Sequence, residues 1–220
     1  WFNPSFLVLQ KIDWATPANI LEKIIAYEAV HEINSWGDLR ARLAPEDRRC
    51  FAFFHPLIPN EPLIFVEVAL SNNMPESINE VIKIDRSITL DQDINTAVFY
   101  SISNCQEGLS GISFGNFLIK NVAHQLKQEI EGLNRFTTLS PAPGFTKWLS
   151  ENSIDENINE DALLKEALIY LMDSKREDGF PKDPVAKFHL GNGAILERVN
   201  LNSDLSAKGI EQSKGVMVNY

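Results

Sequence analysis

The stretch from Thr96 to Leu133 constrains this chain more than any other. It opens with 96-TAVFYSIS-103, an apolar run dense enough for a strand buried on both faces. The segment 104-NCQEGLSGISFGN-116 follows, with glycines at 108, 111 and 115. Then comes 117-FLIKNVAHQLKQEIEGL-133, where Leu118, Val122, Leu126 and Ile130 make one helical stripe. Lys120, His124 and Lys127 lie on its opposite face. Strand, glycine-rich loop and amphipathic helix in that order form a junction where backbone N–H groups can approach an anion. The positive end of the helix dipole favours the same charge. Ser110, Gly111, Ile112, Ser113, Phe114, Gly115 and Asn116 sit where those N–H groups would point. The glycines equally suit a tight turn that needs positive φ. The spacing is neither G-x-x-x-x-G-K-[ST] nor G-x-G-x-x-G, which argues against ordinary ATP, GTP or NAD binding.

The remaining segments alternate between helical and strand patterns. Thr16-Pro17 reads as a hydroxyl cap followed by proline at the first helical position, opening a helix over 17–28 with Ile20, Leu21, Ile24 and Ile25 on one side. A second short helix is expected at 36–44, closed by Pro45. The runs 50-CFAFFH-55 and 63-LIFVEVAL-70 read as a hairpin whose turn is 56-PLIPNEP-62. A short helix is expected at 77–83, and a short strand in 134-NRFTTLSPAPGF-145 that breaks at its prolines. Helices are expected near 145–149 and at 162–173, the latter after an acidic connection at 151–162. Gly191-Asn192-Gly193 ends what precedes it and begins a strand at 194–199. Interleaved helices and partly hairpin-linked strands favour an α+β or mixed sheet over a doubly wound parallel fold.

Composition removes several classes of function. The 220 residues carry 20 basic against 30 acidic side chains, a net charge of −10, which argues against a general nucleic-acid surface. No apolar run approaches the length of a membrane span. Two cysteines, Cys50 and Cys105, make no disulfide framework and fit a reducing compartment. The opening WFNPSF has neither the basic start nor the cleavage pattern of a signal peptide, so a fragment of a longer cytoplasmic protein is expected. A targeting peptide ahead of it stays open.

Among the four histidines no pair has the i, i+4 spacing of a helical zinc site, and no C-x-x-C is present, so no metal is expected. His124 is expected to face solvent, His55 to be a turn residue, and His31 is uninformative. His189 stands out because Gly191-Asn192-Gly193 follows it, where backbone can approach a ligand; a helix-end histidine bonded to a carbonyl explains it equally. Ser140, in TLSPAPGF, is held in a loop stiffened by two prolines; it could equally cap the next helix. No G-x-S-x-G elbow surrounds it, which argues against a hydrolase nucleophile.

The pieces FYSISNCQEGLSGISFGNFLIK, TTLSPAPGFTKWL, DPVAKFHLGNGAILERVN and SAKGIEQSKGVMVNY, in this order, resemble the catalytic region of bacterial-type malonyl-CoA decarboxylases. AYEAVHEINSWGDLRARL and RRCFAFFHPLIPNEPLIFVEVALS look like the same family, so the resemblance covers nearly all of the chain. It implies a GNAT acyltransferase-like α+β fold: a mixed, mostly antiparallel sheet flanked by helices. It also implies a substrate, malonyl-CoA, converted to acetyl-CoA and CO2 through an enolate, with no further cofactor, nucleic acid or membrane partner. The family's CoA-binding loop maps onto Ser110–Asn116, and its paired serine and histidine onto Ser140 and His189. Ser113 stands where some members carry a glutamate, so any acidic role there is absent. The step from Ser140 to His189 is shorter than in animal relatives, which suggests a trimmed helical segment between them. Residues 1–45 are expected to lead out of an N-terminal helical domain that this chain lacks, and 46–220 to form the catalytic domain. A homo-oligomer is expected when that helical domain is present. The rival functions are a GNAT-type acyl-CoA N-acyltransferase and a non-catalytic acyl-CoA binding module.

Overall fold

A computed structural model describes residues 6–106, 108, 114–155 and 158–220. The chain divides into two compact units, one made of 1–74 and 81–137, the other of 75–80 and 138–220.

The first unit is built on a five-stranded sheet. In chain order its elements are β1 (Val8–Ile12), α1 (Ala18–Tyr27), α2 (Trp36–Leu43), β2 (Arg48–His55), β3 (Ile58–Ser71), β4 (Thr96–Asn104), α4 (Phe114–Glu129) and β5 (Arg135–Thr138). The short helix α3 (Ile78–Ile82), between β3 and β4 in the chain, begins in the second unit and ends in the first. The sheet order is β1-β2-β3-β4-β5, and β1 through β4 pair antiparallel. The strands of β2, β3 and β4 are apolar on both faces because both faces are covered. Phe51, Phe53, Val66, Val68, Ala97 and Phe99 pack with Phe114, Leu118, Val122 and Leu126 of α4. The alternate residues Cys50, Ala52, Phe54 and Phe65 pack with Ile20, Leu21 and Ile24 of α1 and Leu39 and Leu43 of α2. The period of two in β2 thus sorts consecutive side chains to opposite layers.

Several sequence expectations need adjustment. The hairpin turn is shorter than 56–62, because β3 begins at Ile58 and carries Pro59 and Pro62 within it. Pro62 is accommodated at a register shift opposite Phe54, where a missing N–H costs no ladder bond. Thr16 does not cap α1; its Oγ1 accepts from the Asp13 N–H instead. The helix expected from residue 117 begins at Phe114, and Ile130 lies just past its end. A second register shift, between Glu67 and Val68, leaves Tyr100 of β4 without a partner on β3. That β-bulge falls within an unbroken buried run, residues 96–101, on a strand covered on both faces.

The second unit has a three-stranded sheet, β6-β8-β7, antiparallel throughout. Its strands are β6 (Ser140–Pro141), β7 (Arg198–Asn200) and β8 (Met217–Asn219), and its helices are α5 (Phe145–Glu151), α6 (Glu160–Leu168), α7 (Pro184–Gly191) and α8 (Ala207–Ser213). A π-helical turn, Ile169–Asp173, extends α6. The single strand expected in 134–145 is two: the chain leaves the first sheet at Thr138 and enters the second at Ser140. The strand expected at 194–199 starts later, at Arg198. Ala142, Phe145, Leu149, Tyr170, Leu171, Ala186, Val216 and Val218 form the core. Among the described residues no helix is long and apolar enough to cross a membrane.

Candidate active site

Ser140 and His189, far apart in sequence, meet inside the second unit. Ser140 Oγ lies 3.3 Å from His189 Nε2. Both side chains are buried, at 8% and 5% exposure. Ser140 is placed by β6, whose register pairs it with Val218 of β8. It is therefore a strand residue and not the cap of α5, and its hydroxyl points to side chains instead of a helix N-terminus.

His189 is placed by α7, a helix with strong start and stop signals. Asp183 caps its N-terminus, accepting from the N–H groups of Val185 at 3.0 Å and Ala186 at 2.8 Å, and Pro184 occupies the first turn. The Tyr170 hydroxyl donates to the other Asp183 oxygen at 3.1 Å. Asp183 is fully buried; burial pushes its carboxyl up from the usual range, and the Ala186, Tyr170, Val185 and Gly144 hydrogen bonds pull the other way. At the far end, Gly193 adopts φ +88°, a left-handed conformation suited to glycine, and the Asn192 and Ala194 N–H groups both donate to the His189 carbonyl. The histidine is thus helix-terminal, as one sequence reading held, yet its ring bonds to a serine hydroxyl.

Burial lowers the His189 imidazole from its ordinary value to about 4. No charged neighbour contributes to that shift, so the ring is neutral at pH 7. The apolar setting disfavours the charged form. The Tyr220 ring stacks on the imidazole with centroids 4.6 Å apart and planes 22° apart. Burial, followed by Asp183 and Tyr170, raises the Tyr220 phenol further, so it too is neutral.

Thr138 completes the cluster. Ser140 Oγ donates to Thr138 Oγ1 at 3.0 Å, and the Tyr220 N–H donates to the same oxygen at 3.3 Å. Sequence reading missed Thr138, Tyr220, Tyr170 and Asp183. Thr138 had a usable signal, since a residue two before Ser140 shares its side of an extended chain. Asp183-Pro184 is a helix-start pair that could have been read as such. Nothing local marks Tyr220.

Of the candidate phosphate-loop residues, Ser110, Gly111, Ile112 and Ser113 lie outside the described residues. Phe114, Gly115 and Asn116 form the first turn of α4. Phe114 and Gly115 are buried and Asn116 half-buried, and the first turn carries no acidic residue to oppose an anion. The remaining histidines belong to the first unit. His124 is exposed beside Gln128, and the His55 ring accepts from the Leu57 N–H in the β2–β3 turn.

Comparison with known proteins decides the family. The family model "Malonyl-CoA decarboxylase C-terminal domain" matches residues 5–166 and 151–220. The chain belongs to that family. The mitochondrial malonyl-CoA decarboxylases of Anser anser anser and Mus musculus are 36% and 34% identical to it. All of this chain is covered, against 53% and 54% of those proteins, so it spans about half the length of the curated relatives it matches. Among solved structures, malonyl-CoA decarboxylase from Rhodopseudomonas palustris matches with TM-score 0.91 at 50% identity, over 100% of this chain and 60% of that one. The enzyme from Agrobacterium vitis matches with TM-score 0.89 at 48% identity, over 100% and 61%. The loading GNATL domain of CurA from Lyngbya majuscula is 14% identical with TM-score 0.67, over 97% and 96%, and establishes likeness of fold alone. The fold is α+β and GNAT-like, with a mostly antiparallel sheet, as the resemblance implied.

Proposed function

We propose that this chain is the catalytic part of a malonyl-CoA decarboxylase, in which Ser140 and His189 act on the malonyl group. The observation that carries the reading is the buried 3.3 Å contact between these two side chains in a chain of that family. In the reaction the bond between the carboxylate carbon and the α-carbon breaks. CO2 leaves, and the electron pair moves into the thioester carbonyl to give an enolate. The α-carbon then takes a proton and acetyl-CoA forms. No covalent nucleophile is needed; orientation and oriented hydrogen-bond donors lower the barrier.

His189 is neutral while the site is empty. A malonyl carboxylate brought beside it favours the imidazolium, because an opposite charge within a few ångströms raises a base's pKa. The substrate thereby recruits the proton that the enolate later receives. Ser140 donates its hydroxyl to the carboxylate or the thioester oxygen and holds the breaking bond out of the thioester plane. The CoA pyrophosphate is assigned to the N–H groups of Ser110–Asn116, at the start of α4. Buried, free thiols at Cys50 and Cys105 fit a reducing, cytoplasmic setting. The longer protein is read as a homo-oligomer.

Incubation with malonyl-CoA, with and without an amine acceptor, tests the reaction. Acetyl-CoA and CO2 released without an acceptor support the decarboxylase. Acyl transfer that requires the amine would establish the acyltransferase instead, and ligand-induced stabilisation without turnover the binding module.

A further inference from the structure

We propose that Thr138 is a positioning residue that sets the direction of the Ser140–His189 hydrogen bond, holding the imidazole in its Nε2–H tautomer with Ser140 as acceptor. The inference rests on the reading of Ser140 and His189 as the acting pair, and it names what orients them.

A hydroxyl has one proton to give and two lone pairs. Ser140 is the donor and Thr138 Oγ1 the acceptor, at 3.0 Å. Before substrate enters, the only proton of Ser140 is committed to Thr138, so its Oγ can meet His189 Nε2 only through a lone pair. A contact between two lone pairs is repulsive, so Nε2 must carry the proton, and the neutral ring then has Nδ1 as its unprotonated nitrogen.

Thr138 is itself held firmly enough to impose this direction. Its N–H donates to the Tyr220 carbonyl at 3.0 Å, and its carbonyl accepts from Asn219 Nδ2 at 2.8 Å. Its Oγ1 also accepts from the Tyr220 N–H at 3.3 Å. Asn219 is anchored in turn, its Oδ1 accepting from Asn200 Nδ2 at 2.7 Å and from Arg198 Nε at 3.2 Å. Thr138 and Asn219 are both buried, so water does not compete for these groups.

The consequence is chemical. A serine made nucleophilic by histidine donates its proton to an unprotonated imidazole nitrogen. Here the polarity is reversed: the imidazole N–H is directed at the serine oxygen, and the serine keeps its proton. That does not suit acyl transfer to serine, and it fits a decarboxylation, which needs no covalent nucleophile.

The test uses Thr138→Val, which keeps the β-branched shape and removes the acceptor, and Thr138→Ser, which keeps the acceptor and removes the methyl. Nitrogen-15 NMR of ring-labelled histidine reports the tautomer directly, with the His189 signals assigned by subtracting the spectrum of His189→Gln. The expected result is a protonated Nε2 in the parent and in Thr138→Ser, and a shift towards the Nδ1–H form in Thr138→Val. Alongside it, kcat for decarboxylation in Thr138→Val falls about three- to tenfold, the worth of one hydrogen bond, with KM little changed and Thr138→Ser restoring it. Thr138→Ala repeats the spectral test with less bulk should the valine variant misfold. An unprotonated Nε2 in the parent, or the same tautomer in the parent, Thr138→Val and Thr138→Ala, overturns the assignment. The spectrum needs no turnover, so the tautomer can fail while His189→Ala remains inactive. Conversely, His189→Ala with near-normal turnover removes the catalytic reading and leaves the tautomer standing.

Discussion

Each unit buries titratable side chains away from water, and the two do so in opposite ways. In the first, Arg42 of α2 reaches Glu67 of β3 at 3.0 Å, with both side chains almost wholly buried. Glu28 adds a second carboxylate, which accepts from the N–H groups of Val30 at 2.7 Å and His31 at 2.9 Å and from the Ser101 hydroxyl. Burial first, and then Glu28, push the Glu67 carboxyl up to about 8, with Arg42 pulling it down. Burial works against the Arg42 charge, and Glu67, Tyr100 and Glu28 more than offset it. In the second unit, burial alone acts on His189, and its partner is a neutral hydroxyl. The first cluster answers its own charges. In the second, the nearby carboxylate of Asp183 is held by the cap of α7 and by Tyr170, and no charge acts on His189 itself, so an arriving carboxylate would be the dominant electrostatic event at the imidazole. Burial of polar groups alone therefore does not mark a functional site; the absence of an internal counter-charge is the more telling property.

The largest expected effect breaks the uncharged cluster. His189→Ala should lower decarboxylase turnover by about 10²–10⁴, the usual contribution of a general acid or base, while leaving the thermal transition near that of the parent. Single-turnover measurement with malonyl-CoA checks the first part and calorimetry the second. Arg42→Met should do the reverse. At pH 9, above the raised Glu67 value, it strands buried carboxylates, at a cost of about 3–5 kcal/mol in urea unfolding. Adding Glu67→Gln to it should recover a large share of that loss, because removing both partners of a buried pair costs far less than removing one. If Arg42→Met is neutral in the unfolding curves, the first cluster is not the self-contained ion group its distances describe.

The pH dependence of stability separates the clusters by sign. The lowered His189 value means that between pH 4 and about 6.5 the unfolded chain binds a proton that the folded one does not. Stability therefore rises with pH across that window. The raised Glu67 value means that between about pH 4.5 and 8 the folded chain keeps a proton the unfolded one has lost, so stability falls as pH rises. The two slopes oppose each other below about pH 6.5. Above it only Glu67 acts, with a decline of about 2 kcal/mol by pH 8. Glu67→Gln should flatten that alkaline limb, and His189→Gln should flatten the acid one, each read from urea midpoints taken across the pH range.

The sequence displayed the elements and concealed the neighbours. Strand β4 and helix α4 were legible because buried strands are uniformly apolar and the Leu118–Val122–Leu126 stripe has a helical period. Ser140 and His189 were legible as candidates because proline and glycine punctuate the chain beside them. What joins them was not legible, because it depends on long-range pairing. Tyr220 reaches His189 only once β8 lies between β6 and β7. The bulge at Tyr100 left no mark either, since its neighbours on β4, Phe99, Ser101 and Ile102, are all apolar or small. The neutrality of His189 follows from burial, a property of the whole unit that no local spacing encodes.

The smallest expected effect lies in the support of the uncharged cluster, at Gly144. Its φ of −97° is open to any residue, so alanine would be free of backbone strain and would gain about 0.4–1 kcal/mol from a less flexible unfolded chain. A Cβ there, however, would stand 2.4 Å from the Tyr170 hydroxyl and 3.5 Å from the ring carbon that bears it. The hydroxyl must move, and it is the group that donates to Asp183, the cap of the His189 helix. Overpacking of this kind costs about 1–3 kcal/mol, so the net loss for Gly144→Ala should be about 1 kcal/mol. Its direction of travel matters more than its size. In a Tyr170→Phe background the 2.4 Å clash vanishes and only an ordinary contact remains, so the same glycine change should become neutral or slightly stabilising. Four unfolding curves complete this double-mutant cycle. A cycle that closes additively would show that Gly144 and Tyr170 do not act through each other on the helix that carries His189.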